Sequence, residues 1–406
     1  MKRQKVEELI FIRAVCALGI FMIHLSGSFA MLSAYGSKAM HLGIIVNQFF
    51  RFGTPVFMII SGFVLFYNYR SFEEFDAIRF YNKKLKYILL PYLLWSFLYC
   101  FIFPYILWTP FSQLINSYNS ISIDFIKFVK IALLGNAYPH LYFIFLIFQF
   151  YLLYPVLMKC FIKAMKNRPL FFFVMIAITQ GVILIYEFSF RTQSSYQLLN
   201  FFNMYYWKSV FGWFFYFLTG GLIALHYNKI SKYIEENISK VISLYLLSAF
   251  LYIGEVYYNI FKNEGRDFYE KFGSIRPTTM IYSVCTIAVL ILAGRKIHNG
   301  KSRYRNIIKA CGTYSLGIYF LHPFILELIK VKIINKYPSV LGYSRISTLI
   351  FLVITGWSVT VMIVLLLSKN KLKSLVIGKV PAFTNAEFGL KGGVAESWEN
   401  SHMHSE

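Results

Sequence analysis

The chain has 406 residues, of which 57% are hydrophobic, 20% aromatic and only 15% charged. A soluble chain carries roughly a quarter charged residues, and here apolar runs recur from end to end, so a soluble enzyme or carrier is excluded. The net charge of +23 would suit nucleic acid in a soluble protein. In a membrane protein it reflects how Lys and Arg divide between the two faces, and no nucleic-acid partner is expected.

A helix needs about 20 apolar residues to cross the hydrocarbon. That length predicts ten spans, at 9–32, 44–67, 86–108, 140–162, 170–188, 207–227, 238–260, 279–297, 312–332 and 346–368. The first is read as a span and not a cleaved signal, because further spans follow and no small-residue cleavage site is evident. The apolar stretch 121–134 is too short to cross and reads as an interfacial or re-entrant segment. With the N-terminus inside, 26 of the 41 Lys and Arg residues fall on the inner side and 14 on the outer, Arg13 lying within the first span. This excess predicts both termini cytoplasmic. The expected fold is an all-α polytopic membrane protein of about ten transmembrane helices. A membrane domain covers 1–370, and a polar, disordered cytoplasmic tail follows at 371–406. No internal repeat supports inverted-repeat transporter symmetry.

The five cysteines (Cys16, Cys100, Cys160, Cys285 and Cys311) fall in or beside apolar segments without pairing or CxxC spacing. They read as small core residues. His402 and His404 read as part of a solvated tail. Metal-ligand spacings, P-loops and dinucleotide fingerprints are absent, so no metal is expected.

The chemistry starts at RAVCALGIFMIH (13–24). Ten intervening residues put Arg13 and His24 eleven helical steps apart. They therefore share one helix face, about 16 Å apart along the axis. Ionisable groups at membrane depth are costly and usually face a protein interior or a wet cavity. Both side chains are therefore expected to turn into one shared hydrated hollow.

Further stretches occur in order: FGTPVFMIISGFVL (52–65), FYNKKLKYILLPYLLW (80–95), PHLYFIFLIFQFYLLYPVL (139–157) and GTYSLGIYFLHPFIL (312–326). Together with Arg13 and His24 they resemble the integral-membrane acyltransferase-3 family, which O-acylates cell-surface sugars and related acceptors. The match covers about 13–370. Tyr142 stands where that family usually has Trp, and 83–86 has lysines where Arg is common. LKYILLPY and FGWFFYFLTG resemble the intercellular adhesion C branch of poly-N-acetylglucosamine operons. Members of that branch are described both as exporters of the polymer and as its O-acylators.

The resemblance implies a multi-pass enzyme of the bacterial plasma membrane. Its co-substrate would be acyl-coenzyme A, with acetyl-coenzyme A the first choice. Its partners would be the bilayer, a surface glycan or lipid-linked glycan acceptor, and a glycan synthase. His24 is the candidate base or transient acyl carrier. Arg13 suits a phosphate or a thioester oxygen. Arg79, Lys83, Lys84 and Lys86 are candidates for the donor phosphates, with ordinary positive-inside lysines as the alternative. Arg51, His140, Tyr142, His322 and Glu327 are candidates for acceptor binding. Each has a structural alternative: a headgroup anchor for Arg51, packing or interfacial roles for the rest. Ser61 and Gly62 read as a close-packing pair. Glu255 could orient a base or sit exposed at the interface. Export without catalysis, and a non-catalytic partner of a glycan synthase, are the rival functions.

Overall fold

The computed structural model describes residues 6–69, 71–73, 75–108, 125–187, 196–262, 273, 275–299, 304–337, 342, 345–370 and 376–378. Ten long helices lie over the ten predicted spans: α1 (Glu8–Leu32), α2 (Lys38–Asn68), α3 (Ala77–Leu107), α4 (Tyr142–Asn167), α5 (Pro169–Ile185), α6 (Leu199–Leu225), α7 (Ile238–Phe261), α8 (Pro277–His298), α9 (Ser315–Lys332) and α10 (Ile346–Ser368). Eight are long and apolar enough to cross a membrane; α5 is shorter, and α9 carries Glu327, Lys330 and Lys332. No strand occurs among the described residues.

The predicted starts of α2 and α3 fall short of the observed ones, and capping gives the reason. The Ser37 hydroxyl accepts the Met40 N–H at 3.1 Å, so α2 begins with a polar first turn. Asp76 accepts the Arg79 N–H at 2.9 Å, so the basic run 83–86 lies inside a helix. The stretch 121–134 is described from residue 125 and forms a separate short helix, Phe125–Leu133. It exposes Phe125, Ile126 and Leu133 and buries Ala132. Its Ala132 carbonyl accepts the Tyr92 hydroxyl at 2.5 Å.

α1 is the hub. Apolar and small residues surround it on every side, as in a helix buried within a bundle, and α2, α8, α9 and α10 pack on it. Its first turn is tied down by Glu8, which pairs with Arg295 of α8 at 2.8 Å; Arg295 also holds Glu235 at 2.5 Å. At the other end of α8, Glu255 is 3.2 Å from the buried Arg276 and accepts from Thr278. Glu255 thus joins α7 to the start of α8.

α3 widens into π-turns at Leu85–Leu89 and Leu98–Ile102. Pro91 and Pro104 follow them. Each lacks the N–H that would bind the carbonyl four residues back, and a wider turn is the local adjustment. Trp95 and the segment 376–378 meet nearby: the indole N–H donates to the Val376 carbonyl at 2.8 Å, and Ile377 is buried. Residues 371–375 and 379–406 of the predicted tail lie outside the described residues.

α2 and α6 cross with their backbones almost touching. A Cβ on Gly62 would lie 1.9 Å from the Phe217 carbonyl oxygen, and one on Gly220 1.9 Å from that of Ile59. Gly62 therefore makes the close approach, whereas Ser61 bonds back to the Phe57 carbonyl at 2.8 Å. Gly220→Ala is expected to destabilise the bundle by about 1–3 kcal/mol through this clash. Gly181→Ala, in α5 with open space around it, should stabilise by about 0.5–1 kcal/mol through helix propensity. Thermal unfolding of the two detergent-solubilised variants checks the opposite signs.

Candidate functional site

Arg13 and His24 both point into the bundle, and both are half-buried. They do not share one hollow. Two cavities without a common lining residue take one each.

The Arg13 cavity holds about 390 Å³. Arg13, Ser61, Lys83, Lys84, Tyr87 and Tyr151 line it, and Thr313, Ser315 and Tyr319 of the α9 side close it. The Lys84 ammonium stands 4.1 Å from the centre of the Tyr151 ring and 5.2 Å from that of Phe80. Among the described residues the lining thus carries three cations and no carboxylate. An open depression of about 560 Å³ adjoins it, lined by Asp76, Arg79, Asn82, Lys83, Lys86 and Tyr87. Lys83 and Tyr87 belong to both. The helical register of 77–87 thus spreads one basic run over a surface depression and a deeper cavity.

The His24 cavity holds about 210 Å³, lined by His24, Ser28, Tyr138, Pro139, Pro323, Glu327, Lys330 and Leu352, among others. Glu327 and Lys330 pair at 3.4 Å, each roughly a third exposed. Burial, with the Glu327 charge adding to it, pushes the Tyr138 phenol up to about 12. Tyr138 is therefore protonated at working pH and can donate a hydrogen bond beside His24.

Behind His24 the rings of two buried histidines meet it. The His24–His322, His24–His140 and His140–His322 centroids are 5.3, 6.2 and 5.6 Å apart. His322 Nδ1 lies 3.0 Å from the Ile318 carbonyl; a carbonyl only accepts, so Nδ1 carries the proton and Nε2 the lone pair. That Nε2, and both ring nitrogens of His140, are buried without a hydrogen-bond partner among the described residues. Buried polar atoms are nearly always paired, so this layer is polar out of proportion to its bonding. No His, Cys, Asp or Glu group among the described residues is placed to hold a metal.

Two tyrosines bond to the backbone of the layer. The Tyr319 hydroxyl donates to the His140 carbonyl, and its ring lies 5.0 Å from the His140 ring. The Tyr99 hydroxyl donates to the Phe320 carbonyl at 2.7 Å and accepts the Phe324 N–H at 3.2 Å. Pro323 interrupts the ladder there, and Tyr99 inserts beside it. The Tyr99 ring also stacks 4.4 Å from Tyr138. Among so many tyrosines (31 in the chain) neither Tyr99 nor Tyr151 carries a signal in the sequence. Tyr319 sits inside the stretch 312–326, three residues before His322.

Of the remaining candidates, Arg51, Tyr142, His140 and His322 fall outside the cavity walls. Arg51 is buried in a 3-10 turn of α2, within electrostatic reach of His24 and Tyr142. Tyr142 packs 5.0 Å from Trp207. His140 and His322 back the His24 cavity, whereas Glu327 lines it.

The family model described as Acyltransferase domain matches residues 6–367. The chain belongs to the acyltransferase-3 family. Its similar curated relatives include a "Probable poly-beta-1,6-N-acetyl-D-glucosamine export protein" of Staphylococcus aureus strain MRSA252. That relative is 25% identical over 369 residues, covering 87% of this chain and 89% of the relative. A Staphylococcus epidermidis protein of the same description is 27% identical over 362 residues, covering 87% and 88%. No solved structure matches. This acyltransferase-3 member is thus a multi-pass bacterial membrane protein.

Tyr99→Phe is expected to cost about 1 kcal/mol or more, because the Phe324 N–H and Phe320 carbonyl lose a buried partner. A lowered midpoint of thermal unfolding in detergent, with α-helix content unchanged, checks it.

Proposed function

We propose that the chain moves an acyl group from coenzyme A to a hydroxyl of a surface polysaccharide or its lipid-linked precursor. The observation that carries this reading is the division of labour along α1. Arg13 opens into a cationic cavity and His24 into a separate one holding a carboxylate and a phenol. The excess of Lys and Arg favours a cytoplasmic position for the Arg13 end and both termini, the side on which acyl-coenzyme A is found.

Arg79, Lys83 and Lys86 offer the open depression to the phosphates of the donor. Lys84 and Arg13 continue that positive path inward, beside Tyr151. Such charge-assisted contacts to phosphate are among the strong ones. At the far end, His24 takes the proton of the acceptor hydroxyl as that oxygen attacks the thioester carbon. The carbon–sulfur bond breaks, the oxygen–carbon bond forms, and the proton finishes on the departing thiol. Glu327 and the Tyr138 hydroxyl supply an acceptor and a donor for sugar hydroxyls beside His24.

The names of the staphylococcal relatives favour a second reading, export of the glycan. Two small, separate cavities give that reading less support than a continuous aromatic path would. Incorporation of labelled acyl groups into surface glycan separates the two. His24→Ala is expected to lower acylation about 10²–10⁴-fold while glycan still reaches the surface. Normal acylation with lost secretion would instead establish export. In purified protein, with a β-1,6-linked N-acetylglucosamine oligomer as acceptor, the triple substitution Arg79→Ala, Lys83→Ala and Lys86→Ala should raise KM for the thioester about tenfold or more. Its kcat should change little, and steady-state kinetics checks the split.

A further inference from the structure

We infer that Tyr319 is the gate between the two cavities and sets the upper size of the acyl group transferred, an inference that rests on the acyltransferase reading. Tyr319 lines the Arg13 cavity. Its hydroxyl is held by the carbonyl of His140, in the non-helical segment that follows the turn at Gly135 (φ 66). The same segment carries Tyr138 and Pro139, which wall the His24 cavity. One side chain therefore closes one cavity and is bonded to the wall of the other.

What separates Tyr319 from His24 is a single layer of imidazole. Tyr319 is 5.0 Å from the His140 ring and 6.3 Å from the His322 ring, and both of those rings contact His24. The short path from the Arg13 cavity to His24 runs through this layer. The flanking rings are fixed by stacking: Trp95 lies parallel to Phe320 at 5.7 Å, and Tyr99 stacks on Tyr138. Tyr319 touches the His140, Phe320, Phe143 and His322 rings at tilted or edge angles, with no parallel stack on any of these four, and its hydroxyl is held by one neutral hydrogen bond, which is weak in net terms. Rotating its side chain frees the His140 carbonyl; the His140 ring, whose nitrogens make no hydrogen bond among the described residues, then shifts aside, and the space the phenol ring vacates sets the width of the passage. The surrounding packing gives no further room. A short acyl group passes, and a long chain is refused by the ring's volume.

The test compares acetyl-, butanoyl- and octanoyl-coenzyme A in the purified full-length protein, with the same N-acetylglucosamine oligomer as acceptor. Wild type should strongly prefer acetyl. Tyr319→Ala should raise the octanoyl-to-acetyl ratio of kcat/KM by about tenfold or more, since each methylene in an apolar site is worth a factor of that order. Tyr319→Phe keeps the bulk and should keep the ratio. If Tyr319→Ala does not fold, Tyr319→Leu should raise the ratio by a smaller factor and Tyr319→Trp should lower the butanoyl rate more than the acetyl rate. A folded Tyr319→Ala or Tyr319→Leu enzyme with an unchanged ratio overturns the gate alone. An equal shift in Tyr319→Phe also overturns it, because the hydroxyl and not the volume would then decide. Absence of transfer from every thioester in wild type overturns the acyltransferase reading beneath it.

Discussion

A guanidinium and an imidazole cannot face hydrocarbon cheaply, and eleven residues apart on one helix they must face the same side of it. That constraint on α1 organises the bundle. The helix has to be surrounded, and α2, α8, α9 and α10 surround it. The two groups also have to be kept apart from lipid at two depths. This requires two polar hollows, or one long one, along a single face. The bundle builds two, and closes the space between them with the His140, His322 and Tyr319 rings.

The division has a chemical consequence. Donor and acceptor of an acyl transfer differ in nearly everything that a protein can read. One brings several phosphates and the other brings hydroxyls. A cavity whose described residues bring three cations and no carboxylate suits the first; a cavity with histidine, phenol and a carboxylate–ammonium pair suits the second. A layer of rings with few hydrogen bonds can move aside without breaking a helix ladder. The ladder of α9 is already interrupted at Pro323 and patched by Tyr99.

Most of the architecture was legible because hydrophobic length in a bilayer is a strong constraint. α9 was legible even with Glu327, Lys330 and Lys332 in it, because its apolar run continues around them. Helix starts were less so: the polar first turns of α2 and α3 depend on capping by Ser37 and Asp76, which average hydropathy does not register. Within the site, Arg13, His24 and the basic run 79–86 stood out because charges are rare in this chain. Tyr99 and Tyr151 did not, since tyrosine is common here and its role depends on which helix face meets a neighbour; Tyr319 was visible only as a member of the stretch 312–326. The same ambiguity applies to Arg51 and Tyr142. They are polar residues within electrostatic reach of each other, and only packing shows that they stand outside both cavity walls. The separation of the hollows was illegible for a related reason. It is made by three rings from two distant segments.

An experimental density map of the protein with coenzyme A bound tests the central claim most directly. The account predicts phosphate density against Arg79, Lys83 and Lys86, with the pantetheine arm running past Lys84 and Arg13 toward Tyr319. Coenzyme A seated in the His24 cavity, or no ordered density at saturating concentration, would contradict it.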